Sequence, residues 1–256
     1  MQLHDKMIVV DLDGSLLRTD KTISEQTKQI LNKCRQSDIK VIYATGRGGS
    51  AEKVAPSDLF DGRIIMNGAV AYIDNAVVYS RLIPCEMARP LLIACDKRGL
   101  KTASEIGGTS YTNFNKSEEW PGMTNYEIVD FSQHEKDGEK LFAVINSSED
   151  VSFIESNLPK DLYLTVSRDN LGMIMHKDAT KSKAVTALAQ IWNIGQSEIV
   201  VFGDDLNDID MLANAGVSVA MGNAVDEVKA ISGNICLSND EDGIADWIVK
   251  QDIIKV

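Results

Sequence analysis

Two short acidic segments carry the residue types most able to do chemistry. Asp11-Leu12-Asp13-Gly14 follows directly on the apolar run Met7–Val10, and Gly203-Asp204-Asp205-Leu206-Asn207-Asp208 closes the apolar run that starts at Glu198. Carboxylates crowded into one turn repel each other unless a hard cation holds them, and Mg²⁺ prefers oxygen ligands of this kind. Each segment also has a plainer reading, because Asp and Asn are good turn and helix-cap residues. An EF-hand loop is excluded: the bidentate Glu it needs at its twelfth position falls on Thr22. Taken alone, Asp11-x-Asp13 would equally suit a site holding a metal for a nucleotide sugar. Two acidic turns leaving separate apolar strands point instead to one shared metal site.

Other polar residues recur at the ends of apolar runs. Thr45-Gly46 ends Ile39–Thr45, and Asn67-Gly68 ends Arg63–Met66. Gly46-Arg47-Gly48-Gly49-Ser50-Ala51 matches G-x-G-x-x-A, but a dinucleotide site also wants an acid at the end of the next strand. Ile65-Met66-Asn67-Gly68 supplies none. Thr45 and the amides after it could still cradle one phosphate at a helix N-terminus. Lys181 opens a predicted helix, where its charge opposes the macrodipole and gains nothing locally. A charge so placed hints at a role elsewhere, although Lys183 close by shows how common solvated lysines are.

These residues need elements to position them. Met7–Val10, Ile39–Thr45 and Arg63–Met66 read as buried strands, with a helix between the first two built on Ile23, Thr27, Ile30, Leu31 and Cys34 and started by a Thr22/Glu25 capping box. The last third repeats the rhythm: helix Lys181–Trp192, strand Glu198–Gly203, a helix through Met211 and Leu212, strand Val217–Met221, helix Val225–Ile231, strand Ile235–Leu237 and helix Asp242–Lys250. Alternation of this kind predicts a parallel, doubly wound α/β sheet, in which ligands bind beyond the carboxyl ends of the strands. Between about Ser80 and Lys177 the pattern changes. Tyr126–Phe131, Leu141–Asn146, Leu162–Ser167 and Leu171–His176 look like amphipathic strands, and Cys85–Lys97 and Glu149–Leu158 like helices, which predicts an α+β insertion with antiparallel pairing. Glu105–Asn113 is a Gly-rich polar segment, either a loop reaching over the site or a solvated hairpin.

The chain has 256 residues, 44% hydrophobic and 25% charged, enough for one large domain or two modest ones with a sizeable core. Its formal charge of −12 repels polyanions, so no nucleic-acid groove or anionic membrane surface is expected. Cys34, Cys85, Cys95 and Cys236 form no CxxC, and His4, His134 and His176 show no metal-ligand spacing, so no structural zinc is expected. Free thiols, no apolar leader at the N-terminus and no membrane-length apolar run predict a cytoplasmic protein. The sequence does not specify an oligomeric state.

Taken together and in order, Asp11-Leu12-Asp13-Gly14, Thr45-Gly46-Arg47, Lys181 and Gly203–Asp208 resemble the four motifs of the haloacid dehalogenase-like (HAD) phosphatases. The long insertion is similar to the C2 cap of the Cof-type subfamily, as are Asn67-Gly68-Ala69, Asp208-Ile209-Asp210-Met211-Leu212 and Asp242-Gly243-Ile244-Ala245. The resemblance covers essentially the whole chain. It implies a Rossmann-like core in residues 1–80 and 178–256 with an α+β cap domain in 81–177. It further implies Mg²⁺-dependent hydrolysis of a small phosphorylated metabolite, a sugar phosphate being the leading candidate. By family analogy Asp11 is the nucleophile and Asp13 the proton carrier. Mg²⁺ is held by the Asp11 and Asp204 carboxylates and the Asp13 carbonyl, with Asp208 behind them. Thr45, the Leu12 and Gly46 amides, Asn207 and Lys181 bind the phosphoryl oxygens. The family's usual Thr is Ser15 here, and the segment before the motif lysine, His176–Thr180, is altered. A phosphomutase on the same scaffold, a non-catalytic phosphate-ligand sensor and a dinucleotide oxidoreductase are the rival readings.

Overall fold

The structure, a computed structural model, describes residues 6–167 and 170–254. His4 and the N-terminal residues of the leader expectation lie outside the described residues. The chain divides into two compact units, one formed by Met1–Ser80 with Thr180–Val256 and the other by Arg81–Ala179.

The first unit begins with strand β1 (Met7–Val10), whose four residues are all buried, as a strand covered on both faces requires. Helix α1 (Glu25–Gln36) follows, capped by Ser24, whose hydroxyl accepts from the Thr27 amide. The expected Thr22/Glu25 capping box is therefore not used. Thr22 gives its hydroxyl to Asp20 instead, and the chain turns helical two residues later. Strand β2 (Lys40–Ala44) pairs parallel with β1, and β3 (Gly62–Ile65) pairs parallel with β2. Parallel order then stops. β4 (Val70–Ile73) and β5 (Ala76–Ser80) continue antiparallel through a hairpin whose turn residue Asp74 has φ +52°.

In the inserted unit, helix α2 (Cys85–Lys97) leads to strands β6 (Thr102–Ile106) and β7 (Thr109–Thr112). The segment Glu105–Asn113 is thus a hairpin, turning at Gly107-Gly108 with both residues at positive φ, as a two-residue turn of primed type demands. Helix α3 (Lys116–Glu119), β8 (Tyr126–Ile128), β9 (Lys140–Val144), α4 (Ser148–Asn157), β10 (Leu162–Val166) and β11 (Leu171–His176) complete it. Its sheet runs β10-β11-β9-β6-β7-β8 and is antiparallel except for β7 and β8, which pair parallel against expectation. Leu91, Leu92, Leu141, Ile154 and Ile174 form the centre of its own core.

The chain then returns to the first unit as α5 (Lys181–Ile191), β12 (Ile199–Gly203), α6 (Ile209–Ala213), β13 (Val217–Ala220), α7 (Asp226–Ile231), β14 (Asn234–Ile235) and α8 (Gly243–Lys250). The complete sheet runs β14-β13-β12-β1-β2-β3-β4-β5, with α1 packed beside α8 and α5 beside α6. This is the α/β class expected. Strand order reverses direction about β1, so β1, β12 and β2 end side by side at the switch point where such sheets bind ligands. All four cysteines are free thiols. No helix among the described residues is long and apolar enough to cross a membrane.

Candidate active site

Register places the polar strand ends together. Val10 pairs with both Phe202 and Tyr43, so Asp11, Asp204 and Thr45 emerge at neighbouring positions of the sheet edge. The first residue of α5, Lys181, is buried among them with its side chain wholly out of solvent. Its Nζ lies 2.6 Å from Asp11 Oδ1 and 2.6 Å from Asp208 Oδ1. The cation misplaced against its helix dipole is thus the counter-ion of two buried carboxylates. Thr180 caps the helix from the preceding position, and α5 comes close to the Asn67-Gly68 turn. A side chain at Gly68, which has φ +100°, would place its Cβ 2.1 Å from the Thr180 carbonyl oxygen.

Asp208 is fully engaged. Its Oδ1 faces Lys181, and its Oδ2 accepts the Asp204 and Asp205 amides at 2.9 and 3.1 Å. It therefore fixes the loop that presents Asp204 and holds the lysine at the same time. Asp204 accepts the Ser15 hydroxyl on Oδ1 at 2.7 Å, so the residue standing in for the family's Thr keeps the contact-forming hydroxyl. Gly14, at φ +83°, leaves room around the other oxygen; a Cβ there would sit 2.2 Å from Asp204 Oδ2. Asn223 holds the Gly14 carbonyl at 2.7 Å.

Oxygens of Asp11, Asp204 and Asp208 lie within 4.8 Å of one another. One ammonium serves this trio, and the charge shows in the carboxyls. Burial pushes Asp11 well above the usual carboxylate range, although Lys181 pulls the other way. Burial likewise pushes Asp204 up to about 6, with Asp208 and Asp205 adding repulsion and Ser15 opposing it. An acid that holds its proton more tightly folded than unfolded costs stability as pH rises through the interval between its unfolded and folded values. In metal-free buffer Asp204→Asn is therefore expected to be more stable than wild type by about 1–2 kcal/mol at pH 7.5. The difference should shrink to nothing as pH falls from about 6 towards the ordinary value of 3.8. Thermal melts of both proteins in EDTA measure it; a difference independent of pH would contradict the assignment.

Asp13 sits on a different footing. Its carboxylate takes a two-point fork from Arg47, Nε to Oδ2 at 2.5 Å and Nη2 to Oδ1 at 2.7 Å, and Lys21 Nζ reaches Oδ1 at 2.9 Å. The Arg47 hydrogen bond, with Lys21 behind it, brings its carboxyl down to about 2 despite partial burial. Thr45 is buried and accepts the Arg47 amide on Oγ1 at 3.1 Å. Gly46 abuts Asn67, where a Cβ would stand 2.9 Å from Oδ1, and Asn207 donates to that same oxygen at 3.0 Å. Leu12 is buried beneath the loop, its carbonyl accepting the Leu17 amide. The expected helix N-terminus after Thr45 is absent: only a five-residue 3₁₀ segment, Gly49–Lys53, follows.

Lys21 enters the site as a residue not singled out from the sequence, and Ser15 and Arg47, named there only within the motifs, enter it with roles the sequence did not give them. Asp242 and Asp240 support them from a distance. Asp242 pairs with Arg18 at 2.7 Å and Asp240 with Thr19 at 2.7 and 2.8 Å, tethering the turn that carries Lys21. The Asp242-Gly243 resemblance supplied the one available signal for that role.

The fold and this arrangement define a class. The haloacid dehalogenase-like hydrolase family matches residues 8–248, and the chain belongs to it, as an enzyme of the phosphatase branch. Among its relatives, the 5-amino-6-(5-phospho-D-ribitylamino)uracil phosphatase YitU of Bacillus subtilis is 27% identical over 267 residues, covering 97% of this chain and 98% of the relative. Phosphatase YwpJ of the same organism is 27% identical over 284 residues, covering 94% and 97%. Two solved structures are similar throughout. One is a HAD subclass IIB sugar phosphatase, with TM-score 0.80, 25% identity and coverage of 97% of this chain and 100% of that one. The other is a HAD phosphatase of Bacteroides thetaiotaomicron, with TM-score 0.85, 25% identity and coverage of 99% and 97%.

Proposed function

We propose that this enzyme is a Mg²⁺-dependent phosphomonoesterase acting on a small phosphorylated metabolite of the sugar-phosphate class through an aspartyl-phosphate at Asp11. The observation that carries the reading is the buried Lys181 ammonium, 2.6 Å from both Asp11 and Asp208 with Asp204 alongside. An array of three acids and one cation at the switch point suits a ligand that brings a phosphoryl dianion together with a divalent ion. The donor set fits such an ion: hard carboxylate oxygens, an open Asp204 Oδ2 opposite a residue without a side chain, and more negative charge than one lysine offsets. Asp11, Asp204 and the Asp13 carbonyl would hold it, with Asp208 orienting Asp204. Bound there, it would neutralise developing charge on the phosphoryl oxygens.

The remaining chemistry belongs to the chain. An Asp11 oxygen attacks phosphorus as the ester P–O bond breaks, and the departing oxygen takes a proton from Asp13. Water then gives its proton to Asp13 and attacks the aspartyl-phosphate, releasing phosphate and restoring the Asp11 carboxylate. Asp13 is ionised in the free protein, the form that accepts the proton of water, so it has to gain a proton with the incoming substrate before acting as acid. Lys181, Thr45, Asn207 and the Leu12 and Gly46 amides are assigned to the phosphoryl oxygens. A sugar phosphate as substrate is carried over from the subclass IIB neighbour, which is described as a sugar phosphatase.

The direct test is a panel of sugar phosphates assayed with and without metal. EDTA is expected to abolish hydrolysis and Mg²⁺ to restore it, while Ca²⁺, with longer and more numerous oxygen contacts, restores little. Undiminished turnover in EDTA would overturn the metal assignment.

A further inference from the structure

Arg47 follows the proposed phosphoryl-binding Thr45-Gly46, where an arginine would ordinarily be assigned to substrate phosphate. Its hydrogen bonds say otherwise. Nε and Nη2 are both spent on Asp13, in the parallel fork that gives geometric specificity as well as strength. With Lys21 on Oδ1, three of the roughly four acceptor positions of that carboxylate are taken, and the position left over lies on Oδ2.

Both jaws of this clamp are themselves held. The Arg47 amide donates to Thr45 Oγ1 at 3.1 Å and its carbonyl accepts the Met66 amide at 2.9 Å, pinning the residue between the ends of β2 and β3. Lys21 stands at φ +66° in the turn closed by Lys21 N to Arg18 O and Arg18 N to Thr22 O, and that turn is tied to Asp240 and Asp242. Two separately anchored elements therefore converge on a carboxylate whose side chain is 38% exposed.

We propose that Arg47 is the positioning residue of Asp13 and takes no part in binding phosphate, with Lys21 as its second support. This rests on the assignment of Asp13 as the proton carrier. A carboxylate that must meet the leaving oxygen loses about a hundredfold when misplaced by an ångström, whereas a binding residue for the phosphoryl group would act on every phosphate ester alike.

The test compares glucose 6-phosphate, whose alkoxide must be protonated as it leaves, with p-nitrophenyl phosphate, whose phenolate leaves unaided. kcat/KM reports on events through the first P–O cleavage. Arg47→Ala is expected to lower it about a hundredfold for glucose 6-phosphate and less than about tenfold for p-nitrophenyl phosphate. The Ki of inorganic phosphate should stay within about threefold. Arg47→Lys, which keeps the charge but loses the fork, should fall between, and it serves as the test if the alanine variant does not fold. An equal loss on both esters with a weakened phosphate Ki would make Arg47 a phosphate ligand and overturn the proposal, as would an unchanged or faster glucose 6-phosphate reaction. Asp13→Asn separates this from the underlying assignment. If it shows the leaving-group selectivity and the Arg47 variants do not, the clamp alone fails; if it shows none, the role given to Asp13 fails first.

Discussion

Replacing Asp11 by Asn is expected to lower kcat by at least about four orders of magnitude while leaving the fold intact. The amide is nearly isosteric, so packing around a side chain that is 7% exposed is preserved. What it lacks is an anionic oxygen to attack phosphorus, and with it one of the three carboxylates that crowd the site. Lys181 keeps Asp208 as partner, so no buried cation is stranded. Steady-state assays on a substrate confirmed with wild type, beside a thermal melt, measure both halves. Turnover above about a tenth of wild type would remove Asp11 from the nucleophile's role.

Lys181→Met is expected to do damage of two kinds. The ammonium bridges Asp11 and Asp208, whose side chains are 7% and 0% exposed, so removing it leaves two carboxylates buried with no cation. Breaking a buried pair from one side costs about 3–5 kcal/mol. Lys181 holds its proton more tightly folded than unfolded, mainly because Asp11 and Asp208 outweigh the effect of burial. Its own protonation therefore contributes in full below the ordinary amine value and is lost only at more alkaline pH. Wild type already gains stability as pH falls through the raised Asp11 and Asp204 values. Without the lysine Asp11 is pushed up further, so the variant's melting temperature should rise more steeply than wild type's as pH falls from 8 to 5. Activity should drop about a thousandfold through loss of a donor to the phosphoryl oxygens. A variant as stable as wild type at pH 8 would contradict the counter-ion role.

The site was more legible in the sequence than the sheet around it. Acidic turns after apolar runs are conspicuous, and a lysine opposing its own helix dipole marks a charge wanted elsewhere. Lys21 gave no such signal, and Arg47 was visible only as the last residue of Thr45-Gly46-Arg47, with no role attached. Each is an ordinary cation in its local sequence, and each reaches Asp13 only through backbone turns, one of them at a positive φ that Thr19-Asp20-Lys21-Thr22 does not announce. Ser15 stands where the family usually has Thr, and its bond to Asp204 depends on the approach of two loops 189 positions apart. Among the strands, β4 and β5 escaped because a parallel rhythm had been established, although Asp74-Asn75 is a serviceable hairpin turn. β6 and β7 were obscured by their polar composition; Thr102, Ser104, Ser110 and Thr112 are buried there by sheet pairing that no apolar pattern foretells. The misplaced cap of α1 was a choice between two hydroxyls two residues apart, decided by Asp20 taking the first.

The central claim is a covalent phosphoenzyme at one named residue, and borohydride trapping tests it most directly. An aspartyl-phosphate is reduced to homoserine where an unmodified carboxylate is not. Wild-type enzyme turning over a sugar phosphate with Mg²⁺, quenched into borohydride and mapped by peptide mass, should carry homoserine at position 11 and nowhere else. Unmodified Asp11 throughout turnover, or a reduced residue at Asp13 or Asp204 instead, would contradict the account.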